Sequence, residues 1–435
     1  MTLLAARLAS LGTENAFRVS DDIARATPAL AARGLDVVRL NLGEPDFDSA
    51  PHINEAACAQ IRAGNSHYTD PQGIRPLRAA IAEHVRRTRG LAVDPAQVVV
   101  TTGGKPSIGF TMQAYVDPGD EVIYPSPGFP IYESWVTYVG GVPVPLPLRE
   151  ETGFTFTADD LAARITPRTK VIILCSPSNP TGGVLTAGGG ELASIARVIR
   201  ARCGPDVRVY SDEIYEHILF DGAEHHSIAA EEGMAARTII ASGHSKGFAM
   251  TGWRLGWSVL PTAEEAAVFK QLTINLVSCV PPFIQEAGRV ALASPESVVA
   301  IKQMVSAFEE RRDWVVDALN AIPGVRCQLP KGAFYVFPNV AGVCERLGVL
   351  AAYEAMPADS RARTSPSRML QSFLLDRYGV ATVDRNSFGR IGADGEHFLR
   401  LSIATGLDRL RVGVERFACA AADQAGFSEF NGSIA

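Results

Sequence analysis

The sequence predicts an α/β protein, with a mainly parallel mixed sheet flanked by helices and a smaller α/β unit after it. Three observations carry this. Short apolar, β-branched runs recur through the first half of the chain, Ala- and Leu-rich stretches with helical period separate them, and a long helical pattern followed by fresh strand patterns marks a second unit. Continuous apolar strands alternating with helices belong to sheets buried on both faces.

Taken in order, the runs are Gln97–Thr102 (QVVVTT), Glu121–Tyr124 (EVIY), Lys170–Cys175 (KVIILC), Val207–Tyr210 (VRVY) and Thr238–Ala241 (TIIA). Glu191–Arg202 is typical of the helical stretches between them. A long helix over Glu296–Asn320 leads to strand patterns at Gly332–Phe337 and Phe398–Ile403. Leu347–Arg368, rich in Ala, Ser, Pro and charge, reads as an insertion or mobile connection. The expected division is an N-terminal arm with part of the small unit (1–50), a large unit (51–300), and a linking helix with the small unit (301–435).

With 435 residues, 47% of them hydrophobic, the chain can bury a large core. Its net charge of -6 is scattered and it has no Lys/Arg block, which argues against nucleic acid or an anionic membrane as partner. No stretch approaches the roughly 18 apolar residues of a membrane span. The N-terminus lacks the pattern of a secretory signal. The seven cysteines are odd in number and have no metal-site spacing, so reduced thiols in the cytoplasm, and no metal, are expected.

Ligands in parallel sheets bind beyond the carboxyl ends of the strands. Four stretches lie there. Ala241–Trp257 (ASGHSKGFAMTGWRLGW) places Lys246 in a turn of small residues with Arg254 following. A lysine forms an imine only as a free amine, so such a residue needs a partly desolvated site; an ordinary surface lysine is the plain alternative. Tyr210–Tyr215 (YSDEIY) puts Asp212 directly after a strand, where it can reach a ligand or merely cap a helix. Ser176–Gly183 (SPSNPTGG) forms a tight turn whose one long polar donor is Asn179. Thr101–Ser107 (TTGGKPS) runs from strand through Gly103 and Gly104 into a helix, a geometry that receives anions.

These stretches, with Asn41–Phe47 (NLGEPDF) and Gly332–Pro338 (GAFYVFP), occur in the order and at the separations of a known family. The chain resembles the class I/II aminotransferases of pyridoxal 5′-phosphate (PLP) fold type I, in the aspartate aminotransferase-like branch. The resemblance implies that Lys246 is the Schiff-base lysine and proton shuttle and Asp212 the partner of the pyridine nitrogen. It implies that Asn179 and Tyr215 bind the cofactor's 3′-oxygen and that Phe129, in PSPGFPIY, stacks on its ring. Gly103, Gly104, Lys105, Ser245 and Arg254 fall around the phosphate. Tyr68, in HYTDPQG, falls where a residue serves the neighbouring subunit's site, which implies a homodimer with shared active sites. Arg400, in FLRLS, matches the clamp on the substrate's α-carboxylate, with Gly43 close by.

Amino transfer from an α-amino acid to a 2-keto acid is thus the expected reaction. In one prokaryotic subgroup a lysine at the position of Lys105 reaches the substrate's distal carboxylate, so acidic or small polar donors are expected. The alternative is a non-transaminating PLP enzyme on the same scaffold, performing β- or γ-elimination or replacement, or carbanion oxidation. Three departures bear on that choice. His244 stands where an apolar residue is usual, Pro281-Pro282 interrupts Leu276–Phe283, and Asp384 and Arg385 sit in Thr382–Phe388. His244 reads as a buried histidine with a backbone partner or as a second acid/base, and Asp384 and Arg385 as solvated loop charges or as part of a charged pocket.

Overall fold

The computed structural model describes residues 5, 7–8, 11–186 and 190–434. Its strands in chain order are β1 (Val38–Arg39), β2 (Val98–Thr101), β3 (Glu121–Ser126), β4 (Val142–Pro147), β5 (Thr169–Cys175) and β6 (Arg208–Asp212). They continue with β7 (Thr238–Gly243), β8 (Gly256–Val259), β9 (Tyr335–Val336), β10 (Val380–Ala381), β11 (Val383–Asp384) and β12 (Leu399–Ser402).

A seven-stranded sheet in the order β2-β8-β7-β6-β5-β3-β4 forms the centre. Strand β8 runs antiparallel to both neighbours and the remaining pairings are parallel. The five runs read as strands are all strands of this sheet. Two strands of this sheet escaped the sequence. β4 (VPVPLP) carries three prolines, which an edge strand tolerates because one side of it needs no N–H donors. β8 (GWSV) is short and follows β7 as an antiparallel return, so it shows none of the strand-helix alternation that exposed the others. The connection between β7 and β8 carries Lys246 and Arg254.

A three-stranded sheet, β11-β12-β9, and a β1-β10 pair lie apart from the main sheet. The long helix is Pro295–Asn320, with Pro295 in its first turn and the Ser294 hydroxyl accepting from the Glu296 N–H. Val38 and Leu40 join Phe308, Leu370 and Phe417 in one hydrophobic cluster, so the N-terminal stretch and the last third of the chain share a core. The segment Leu347–Arg368 is not an irregular insertion. It forms the short helices Val349–Glu354 and Ala358–Arg361 and begins a third, with Leu347 and Val349 fully buried in that core.

Candidate active site

The carboxyl ends of β2, β5, β6 and β7 open on a cavity of about 520 Å³. Gly43, Gly104, Lys105, Phe129, Asn179, Asp212, Tyr215, Ser245, Lys246 and Arg254 all line it. The parallel strands explain the convergence, since side chains just past each carboxyl end face one crevice.

Asp212 is the last residue of β6, and no helix follows it, which removes the cap reading. Its carboxylate accepts from the Tyr132 hydroxyl (2.7 Å) and the Ile214 N–H (3.3 Å). No cation pairs with it among the described residues. Burial pushes its carboxyl up to about 6, the two hydrogen bonds opposing. The Lys246 ammonium donates to the Gly43 carbonyl. Burial brings Lys246 down to about 8, with Arg400 and Arg254 acting the same way and Glu14 and Glu44 against it.

Two arginines at this site, Arg400 and Arg254, have no carboxylate partner among the described residues. Arg400 is 2% exposed. It donates to Asn179 Oδ1 (3.0 Å) and to the Asn41 carbonyl, while its buried Nε has no partner. Tyr335 and Phe388 flank the guanidinium at 4.5 and 5.0 Å. Arg254 donates only to the Thr251 carbonyl and lies against Gly103, where an added Cβ would meet its guanidinium at 2.3 Å. Gly103 also has φ of 85°, so a side chain is excluded there twice over. Gly104 caps the helix Lys105–Tyr115, and a Cβ on it would meet nothing nearer than 3.9 Å, so the helix N-terminus opens on free space.

Tyr215 and Tyr335 share a hydroxyl contact of 2.8 Å, and a Cβ at Gly43 would strike the Tyr335 hydroxyl at 2.0 Å. Gly43 is thus required for the approach of Tyr335. Lys105 does not present a free ammonium: it is paired with Glu14 and lies 5.3 and 5.7 Å from the Phe17 and Phe129 rings. The expectation of acidic donors assumed that cation to be available. Tyr68 is 90% exposed and lines no part of the cavity.

Sequence reasoning missed Tyr132, Tyr335 and Glu14. The two tyrosines stand inside PSPGFPIY and GAFYVFP, so the stretches were found and these members overlooked. Glu14 lies in an unremarkable N-terminal stretch. Cys175 also lines the cavity, but burial pushes its thiol up to about 12, which leaves it no nucleophile at neutral pH.

The departures resolve differently. His244 is fully buried, bonded through Nε2 to the Gly288 carbonyl (3.1 Å) and set against Phe248, outside the cavity. It is the buried histidine with a backbone partner. Asp384 and Arg385 are not solvated, as the plain reading had them. Arg385 is 1% exposed and bonded to Glu396 and to the Gly389 carbonyl, and Asp384 receives the Asn386 N–H and Ser387 hydroxyl. Neither lines the main cavity. Pro281 precedes the helix Pro282–Ala293 and Pro282 occupies its first position.

A carboxylate and two guanidiniums without counter-charges, beside a lysine brought down to about 8, call for a ligand that carries a cationic site and anionic groups. Comparison with known proteins agrees. The family of aminotransferases class I and II matches residues 35–417. An aspartate/prephenate aminotransferase of Cereibacter sphaeroides is 40% identical over 85% of this chain and 92% of its own length. An arginine–pyruvate transaminase of Pseudomonas aeruginosa is 37% identical over 92% of this chain and 93% of its own. The crystal structure of the Rhizobium meliloti aspartate aminotransferase superposes with a TM-score of 0.84 at 34% identity, covering 97% of this chain and 99% of that one. The chain belongs to the class I and II aminotransferases. It is a PLP-dependent enzyme that transfers an amino group between amino and keto acids.

Proposed function

We propose that this cavity performs both halves of amino transfer, with Lys246 as the catalytic amine and Arg400 as the receptor for the substrate's α-carboxylate. The observation that supports it is the set of charges without counterions: Asp212, Arg254 and Arg400 around Lys246. Burying a charge such as that of Arg400 is costly unless a ligand answers it, and the exposed Arg254 stands at the same site with only the Thr251 carbonyl to bond among the described residues.

When bound, the PLP group supplies an aldehyde that condenses with amines and a ring that draws off the electron pair left at Cα. The remaining work falls to the chain. Asp212 holds a proton on the ring nitrogen, and Tyr132 fixes the carboxylate that does so. Arg254, Ser245 and the N–H groups at Gly103–Gly104 hold the phosphate, with Lys105 at their edge. Asn179, its Oδ1 engaged by Arg400, has its Nδ2 left to donate to the ring oxygen, and Tyr215 joins it. Phe129 covers a face of the ring. Lys246 Nζ would hold the cofactor and, once displaced by the donor's amine, would take the Cα proton and return it to the carbon on the far side of the amine nitrogen, the one that was the aldehyde. Gly43 lies beside the α-carboxylate held by Arg400.

Tyr68, pointing outward, supports a homodimer in which it completes the partner's site. The seven cysteines are all free thiols, and no helix among the described residues is long and apolar enough to cross a membrane, which supports a cytoplasmic setting. The cluster that Val38 and Leu40 share with Phe308, Leu370 and Phe417 supports grouping the N-terminal arm with the small unit, and the division is placed at residues 50 and 300. The relatives' names differ in donor, aspartate or arginine, so the donor is read from this chain's own cavity below.

The test is product identification by mass after incubation with pooled amino acids and keto acids. A new keto acid together with a new amino acid is expected. Ammonia, or a product of elimination or replacement, would overturn amino transfer.

A further inference from the structure

We infer that Glu14 sets the class of donor side chain: by pairing with Lys105 it makes the distal end of the cavity reject a second carboxylate and accept an apolar, aromatic-sized group. This deepens the amino-transfer reading and rests on it.

Glu14 precedes the helix Asn15–Ala31 in the N-cap position, yet its side chain makes no cap hydrogen bond. Its carboxylate is directed instead to the Lys105 ammonium, with only 21% of the side chain exposed. The cations lining the cavity among the described residues are Lys105, Lys246 and Arg254. Lys246 is the reacting amine, and Arg254 belongs with Gly103 and Ser245 in the anion cradle. Arg400, behind Asn179, takes the α-carboxylate. Lys105 is therefore the one cation left for a distal carboxylate, and Glu14 already occupies it. A substrate carboxylate arriving there meets a like charge across a shared ammonium. Glu44, bonded by the Thr251 hydroxyl, adds a second negative group to the cavity wall.

The rest of the distal wall is apolar. Phe17, Leu42 and Ile108 line it, and the Lys105 ammonium already lies 5.3 Å from the Phe17 ring. Phe17 is 60% exposed, an aromatic left uncovered at the cavity's rim. A donor ring packing there gains burial that a second carboxylate forfeits.

The experiment measures kcat/KM for phenylalanine and aspartate in the wild type, in Glu14→Gln and in Glu14→Gln/Lys105→Ala. The wild type is expected to prefer phenylalanine. Glu14→Gln frees the ammonium and raises the aspartate-to-phenylalanine ratio about tenfold or more, the scale on which one partly buried charge alters discrimination. The double variant loses that gain. Preference of the wild type for aspartate, or a ratio that Glu14→Gln leaves unchanged, overturns the inference. Wild-type binding of unreactive acids checks it without any variant: 3-phenylpropionate is expected to bind more tightly than succinate, and the reverse order contradicts it. If no donor discharges the bound cofactor, amino transfer itself fails, an outcome distinct from an unchanged ratio.

Discussion

Lys246 and Asp212 line one cavity and have opposite protonation problems. Lys246 must be a free amine to take up the cofactor. Because burial brings it down to about 8 from 10.5, uptake of PLP by the cofactor-free protein is expected to accelerate as pH rises, with a midpoint near 8. Stopped-flow absorbance measures this, and a midpoint near 10.5 would show that the lysine is not desolvated. Asp212 must stay ionised to hold a ring proton, and the ring's own positive charge supplies the missing partner. Asp212→Asn keeps the shape and removes the charge, so kcat is expected to fall by about a hundredfold or more, as for other lost transition-state electrostatics. A kcat within threefold of wild type would contradict the role given to Asp212. Lys246, Asp212 and Asn179 were legible in the sequence because each stands at or just beyond the end of a buried apolar strand. Tyr132 was not. It reaches Asp212 from a helix 80 residues earlier, a contact set only by the packing of that helix on the sheet.

Strand ends must be held still for such geometry to persist, and a buried polar network behind the β6 end does this. Arg89, on the helix Arg75–Arg89, is paired at 2.7 Å with Glu213 and 2.8 Å with Glu216, the residues that follow Asp212 and Tyr215. His84 joins Glu216 at 2.9 Å, His225 joins Glu213 at 2.9 Å, and the Ser242 hydroxyl of β7 donates to Glu216 at 2.7 Å. Removing Glu216 takes one of its two carboxylates from Arg89 and the hydrogen-bond partner from His84. Glu216→Leu is therefore expected to cost about 3–5 kcal/mol of unfolding free energy, the usual scale for breaking a buried pair. Denaturant unfolding measures it, and a loss below about 1 kcal/mol, the worth of an exposed pair, would mean that the network is not structural. None of this network was legible beforehand. Its members are scattered charged residues without period or motif, and only the sheet brings them together. The strands were legible because apolar runs record burial directly. β4 and β8 were not, since prolines disguised one, and the other is a short antiparallel return outside the strand-helix alternation.

The whole molecule's acid sensitivity follows from the same buried groups. Burial lowers His217 and His244 from 6.5 to about 4. Groups depressed in the folded state contribute their stability above 6.5 and lose it as pH falls through 4. Burial opposes the Glu213 carboxylate as well, yet Arg89, His225 and Ser227 together hold it down at about 2, so its contribution is lost only below its unfolded value of 4.5. The melting temperature is expected to fall between pH 6.5 and 4, the two histidines outweighing Asp212, whose raised value of about 6 opposes them; a level profile down to pH 4 would show these residues are not held as described. At this scale the sequence conveyed the α/β class and the order of the site's parts. It could not convey that Lys105 is answered by Glu14, because an ion pair across 91 positions leaves no trace in either local pattern. Everything converges on Lys246 in a cavity whose charges lack partners, and one absorbance experiment examines it. The purified protein is treated with an amino acid and then a keto acid while the visible band of its lysine-bound cofactor is followed, beside Lys246→Ala. The band should vanish with the amino acid and return with the keto acid in the wild type, and be absent from Lys246→Ala throughout. A band retained in Lys246→Ala, or one in the wild type that the amino acid leaves unchanged or the keto acid does not restore, contradicts the assignment.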